Sequence, residues 1–155
     1  MKRRDFFKKL GVAAAVAATV TPTMSFAKSK PVSKNHITIA ASIDAVTGGK
    51  KPKTSSKVKL KVPEIAENGA VVPVTVTVDS PMTDSDYVKA IHIFASKNSN
   101  ARAIDVNLTP ANGKAMFSTR IKLGGTQEVV ALVALSNGEF LIASQSVKVT
   151  IGGCG

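Results

Sequence analysis

At 155 residues and a formal net charge of +11, the chain is long enough to bury one hydrophobic core and matches the usual size of a single domain. With one tyrosine and no tryptophan, the positive excess is accompanied by few of the aromatic platforms that nucleic-acid binders combine with their cations. One cysteine excludes an intrachain disulfide framework. The chain opens on Lys2-Arg3-Arg4-Asp5-Phe6-Phe7-Lys8-Lys9, a basic stretch with paired arginines, followed by a mostly alanine apolar run over 10–20 and then Ser25-Phe26-Ala27. This order predicts a twin-arginine signal peptide over 1–27, cut after Ala27, and a mature protein in a bacterial periplasm. An uncleaved anchor is the competing reading, but a spanning helix needs about 20 apolar residues, and Thr21 and Pro22 break the run first.

Residues 28–57 form a basic N-terminal segment. Nine lysines between Lys28 and Lys61 face one carboxylate, Asp44, a surface that can steer an acidic partner or anionic ligand, or simply keep the protein soluble. Within it, Ile39, Ile43 and Val46 recur at spacings of four and three, predicting a helix over 35–46 that Gly48-Gly49 would end. Residues 50–57, with Pro52, Thr54, Ser55 and Ser56, predict an exposed linker.

From Val58 onward the period is two. Val58-Lys59-Leu60-Lys61-Val62 alternates apolar and cationic residues, and Val72, Val74, Val76 and Val78 make a second apolar row, each the mark of a strand with one face in a core. Further strands are predicted over 87–95, 104–108, 115–121, 128–135 and 140–151. Asn112-Gly113 and Asn137-Gly138 stand between such runs and predict tight hairpins with two positive-φ residues each. Seven strands in about 100 residues predict an all-β, immunoglobulin-like antiparallel β-sandwich over 58–151 with a short N-terminal helix. The Cys-Trp-Cys core of true immunoglobulin domains is absent, so the expectation concerns architecture alone.

The body offers little chemistry. It has no phosphate-binding glycine loop, no Cys-x-x-Cys and no nucleophile elbow. His36 reads as a surface residue, and His92, alternating with Ile91 and Ile93, as a packed or hydrogen-bonded one. Asp79, Asp84 and Asp86 crowd one loop without the glycine and glutamate of a calcium site, and read as turn formers. Glu64 and Glu67 could pair as acid and base, but without a surrounding pocket they are expected as loop carboxylates at an interface, and Met82 and Met116 as gap fillers. No cofactor and no metal site is implied.

The C-terminus is different. Val147-Lys148-Val149-Thr150-Ile151 runs into Gly152-Gly153-Cys154-Gly155, so the only thiol sits among glycines on an arm over 152–155. Gly152, Gly153 and Gly155 free the backbone around it, and three residues past Ile151 reach about 10 Å. An unpaired cysteine in an exported protein predicts intermolecular pairing or a working thiol. An exposed thiol has a pKa of about 8.5 and the terminal carboxylate disfavours the thiolate further, so activation must come from other proteins. The chain is expected to be a carrier presenting Cys154 for covalent attachment, not an enzyme. The other class left open is a structural or adhesive sandwich whose cysteine forms an intermolecular disulfide.

Pro63-Glu64-Ile65-Ala66-Glu67-Asn68-Gly69 with Val72-Pro73-Val74, then Ser80-Pro81-Met82-Thr83, Ser118-Thr119-Arg120-Ile121 and the terminal Gly152-Gly153-Cys154-Gly155 together resemble the SoxY family, sulfur-carrier subunits of the periplasmic thiosulfate-oxidising (Sox) system. The family arm usually reads Gly-Gly-Cys-Gly-Gly, and this one stops a glycine earlier. The resemblance implies a heterodimer with a SoxZ-like subunit. It also implies a cycle in which a c-type cytochrome joins thiosulfate oxidatively to Cys154, a hydrolase releases sulfate, and later steps by other Sox enzymes restore the thiol.

Overall fold

The computed structural model describes residues 37–153. The signal peptide expected over 1–27, His36, Cys154 and Gly155 lie outside the described residues. Among the described residues the first named element is helix α1 (Ile39–Thr47), capped by Thr38, whose Oγ1 accepts from the Ala41 amide at 3.3 Å, and closed by Gly48 in the left-handed region at φ 63°. The helix thus starts later than the predicted residue 35.

Nine strands follow: β1 (Lys53–Thr54), β2 (Val58–Lys61), β3 (Ile65–Asn68), β4 (Val72–Val78), β5 (Val88–Ala95), β6 (Arg102–Asn107), β7 (Ala115–Ile121), β8 (Gln127–Leu135) and β9 (Phe140–Ile151). The larger sheet runs β1-β9-β8-β5-β6, with β3 also pairing β9; the smaller runs β2-β4-β7. Its seven longest-predicted strands all form, and the two sheets make the expected immunoglobulin-like sandwich. Their inner faces supply one core: Val72, Val74 and Val76 from β4 and Ile91, Ile93, Val129, Val133 and Val147 from the larger sheet are fully buried.

A second apolar layer explains why β5 and β8 are apolar at successive positions. Phe94, Val130 and Leu132 point to the other face of the larger sheet, where Ile39, Ile43 and Val46 of α1 pack over them. Both faces of these central strands are therefore covered, which removes the alternation seen in β4. Ile43→Ala should cost about 1–2 kcal/mol in chemical denaturation, less than a fully buried site because Ile43 is half-buried; no loss of stability would show that the helix is not part of the cooperative unit.

Several expectations are corrected. Residues 50–57 are largely exposed, yet β1 within them pairs in parallel with β9, Lys53 opposite Leu141, while Lys53 Nζ lies 2.6 Å from Glu139 Oε1. Glu67 is not a loop carboxylate, since it lies within β3; Glu64 does lie in the bend before that strand, where its carbonyl accepts from the Lys148 amide at 2.9 Å. Asn112-Gly113 does not make a hairpin, since β6 and β7 belong to different sheets; a 3₁₀ turn at Pro110–Asn112 carries the chain across. Asn137-Gly138 does join paired strands, but only Gly138 has positive φ, at 81°, and its amide donates to the Leu135 carbonyl, a type I turn with a glycine bulge. Met82 is buried, as a gap filler should be, whereas Met116 is exposed on edge strand β7. The 79–86 loop is tied by hydroxyls more than carboxylates: Thr83 Oγ1 accepts from the Asp86 amide and Ser80 Oγ from the Met82 amide.

Candidate functional site

The root of the C-terminal arm is built by three segments far apart in sequence. Strand β9 pairs with β8 on one side and, near its end, in parallel with β3 on the other, where Ala66 faces Val149 and Asn68 faces Ile151. Beyond β3, the Gly69 amide donates to the Ile151 carbonyl at 2.7 Å, the Leu123 amide donates to the Gly69 carbonyl at 2.7 Å, and the Gly153 amide donates to the Leu123 carbonyl at 2.9 Å. The three bonds close a small ladder of segments 69, 123 and 151–153.

Only glycine fits this ladder. A Cβ on Gly69 would overlap the Leu123 carbonyl, one on Gly152 would stand 2.6 Å from the Gly124 carbonyl oxygen, and one on Gly153 would stand 2.6 Å from the Ala70 amide nitrogen. Real Cβ atoms do not approach backbone so closely. Gly152 and Gly153 were expected for backbone freedom; in the structure the chain passes through both in close contact with its neighbours, so absence of a side chain is required there for space. Gly153, the last described residue, precedes Cys154 in the sequence.

The 122–126 loop that receives Gly153 is itself held by buried amides. Asn98 Nδ2 donates to the Lys122 carbonyl at 2.8 Å, its Oδ1 accepts from the Gly124 amide and from Gln127 Nε2, and Gln127 Oε1 accepts from the Lys97 amide. Asn98 and Gln127 are 8% and 3% exposed, and their polar atoms are satisfied, as burial demands. Sequence reasoning missed Gly69, Leu123, Asn98 and Gln127. Gly124-Gly125 beside a buried amide was the only available signal.

Across the larger sheet, His92 is buried, as expected for a hydrogen-bonded histidine, and its Nδ1 donates to Asp105 Oδ1 at 2.6 Å; Arg102 Nε lies 2.8 Å from Asp105 Oδ2. Partial burial pushes the Asp105 carboxyl up, but the bonds from Arg102 and then His92 outweigh it and hold the group below its usual range. A depressed carboxylate stabilises the fold above its unfolded pKa of about 3.9, and that contribution is lost as pH falls through the lower folded value. Asp105→Asn should therefore lower stability at neutral pH by less than about 1 kcal/mol, the exposed geometry being screened, and should match the parent at strongly acid pH. Thermal melts across that window check it; equal melting temperatures at neutral pH would sink the assignment.

A family model described as sulfur oxidation protein SoxY matches residues 43–154. The chain belongs to the SoxY family. Its match spans most of the sandwich and ends on Cys154. The solved structure of the sulfur carrier protein SoxY from Chlorobium limicola f thiosulfatophilum is 34% identical, with a TM-score of 0.60, covering 72% of this chain and 96% of that one. A superoxide reductase (neelaredoxin) from Ignicoccus hospitalis, 17% identical with a TM-score of 0.50 over 60% of this chain and 80% of its own, shares the fold alone. Comparison with curated protein sequences gave no match.

Proposed function

We propose that this SoxY-family protein carries sulfur intermediates of thiosulfate oxidation covalently on Cys154 and presents them to partner enzymes. The observation that carries the reading is the family match running through the terminal cysteine, on a tail whose last described residue is fixed to the sandwich by its own backbone. The sulfur carrier from Chlorobium, matched over nearly its whole length, supports the same role. Export through the twin-arginine signal over 1–27 would place the protein in the periplasm, with a SoxZ-like subunit as its stable partner.

The chemistry needs little from this chain beyond a thiol. Joining thiosulfate to the Cys154 thiolate forms a Cys–S–S–SO₃⁻ adduct and releases an electron pair, which a c-type cytochrome partner accepts. Water then cleaves the terminal S–S bond in a hydrolase, giving sulfate and a cysteine persulfide, and further oxidation or transfer restores the thiol. Catalytic groups sit on the clients; Gly152 and Gly153 seat the root of the arm against the sandwich, and Gly155 leaves the thiol beyond them without a bulky neighbour.

Accessibility of the thiol tests the reading. In the folded protein a small neutral alkylating reagent should modify Cys154 within about tenfold of its rate on a free cysteine peptide, because an exposed thiol reacts according to its thiolate fraction. A thiol protected more than about a hundredfold would contradict a carrier.

A further inference from the structure

We propose that the groove between β6 and β7 is an oxyanion site that receives the sulfonate end of the cargo on Cys154; the cargo, though not the groove, rests on the reading above. The groove, a cavity of 310 Å³, lies on the flank where the two sheets present their edge strands and is lined by Arg102, Arg120, Lys122, Asn98 and Asn100, with no carboxylate among its lining residues. Arg120 and Lys122 enter no ion pair among the described residues, and Arg102 is held by Asp105 through Nε. The other lysine-rich hollows are different: one over Lys50, Lys51 and Lys53 includes Glu139, and one over Lys59 and Lys114 includes Asp79. A planar guanidinium fork, an ammonium and the side-chain amide of Asn100 suit the three oxygens of a sulfonate, while the Asn98 amide is committed to holding the 122–124 loop.

The groove is also next to the arm. Asn98, which lines it, holds the Lys122 carbonyl and the Gly124 amide, and Leu123 between them accepts from Gly153. From Gly153, one residue step, the cysteine side chain and a disulfane sulfonate together reach on the order of 10 Å. Because the ligand is tethered, its effective concentration is in the millimolar range, so an open cationic groove with millimolar affinity for a free anion is occupied by the loaded arm. Hydrolysis removes the sulfonate and with it the attraction. The groove thus distinguishes a loaded arm from one already processed.

The test loads the purified protein with tetrathionate: the Cys154 thiolate displaces thiosulfate and retains –S–SO₃⁻, which intact mass verifies. Backbone amide resonances are compared with those of protein alkylated by neutral iodoacetamide, at fixed ionic strength. Loading should shift the amides of Arg102, Arg120 and Lys122, and the combined Arg120→Gln and Lys122→Gln variant should lose most of that shift. Free thiosulfate titrated into Cys154→Ser should move the same amides with a millimolar midpoint, weakened about tenfold in the combined variant, the scale for removing two exposed cations. A verified adduct that leaves these amides unmoved overturns the proposal, as do shifts that survive loss of both cations. Movement with free thiosulfate but not with the adduct overturns the assignment to cargo. Tetrathionate loads any accessible thiol, so these failures leave the carrier reading standing; that reading fails separately, on protein from cells.

Discussion

Cys154→Ser should abolish thiosulfate-dependent sulfate formation in a system reconstituted with its client enzymes while leaving the melting temperature unchanged. The loss is expected to be complete, because a serine oxygen cannot form the S–S bond on which every later step depends. Stability should not move, because the core cluster and the residues packed on it extend no further along β9 than Val149, and the ladder at the arm root is made by backbone groups, which the Cys154→Ser change leaves intact. Two measurements therefore separate: calorimetry reads the fold and sulfate release reads the thiol. Retained sulfate formation in the serine variant would mean that the cysteine is incidental.

Gly69→Val should be the most damaging single change near the arm. The added Cβ meets the Leu123 carbonyl, the Gly153 nitrogen and the Val149 side chain at once, and two of these are backbone atoms that cannot rotate away. Relief requires opening the ladder that ties Gly69 to Ile151 and Leu123. Overpacking of this kind costs about 3 kcal/mol, or a fall of very roughly 10 °C in melting temperature for a domain of this size. Hydrogen exchange should show the Gly153 amide losing protection together with Leu123. Gly125→Ala is the matched control, since a Cβ there meets nothing within 4 Å, and it should change stability by less than about 0.5 kcal/mol. A Gly69→Val protein as stable as the control, with Gly153 still protected, would refute the spatial account of these glycines.

The parts of the fold legible in the sequence are those whose periodicity arises within one segment. The valine row of β4 has one buried face, and its alternation shows it. The continuous apolar runs of β5 and β8 follow from cover on both sides, by β4 and its neighbours within and by Ile39, Ile43 and Val46 without. Strands β1 and β3 were not legible: β1 has only two residues, β3 reads Ile65-Ala66-Glu67-Asn68 with no apolar alternation, unlike the equally short β2, and both are held by pairing with β9. The same reasoning separates the two Asn-Gly pairs: identical dipeptides, of which one turns within a sheet and the other precedes a crossing between sheets. At the site, Cys154 stood out from chain position and neighbours alone. Gly69 did not, because what forbids a side chain there is the carbonyl of a residue 54 positions later.

The central claim is that Cys154 holds sulfur by a covalent bond during turnover. Its most direct test is the intact mass of non-reduced protein isolated from its host growing on thiosulfate, with the modification mapped to the last peptide. Sulfane-sulfur or thiosulfonate adducts on Cys154 are the predicted result. A population consisting only of free thiol and symmetrical disulfide dimer would contradict it.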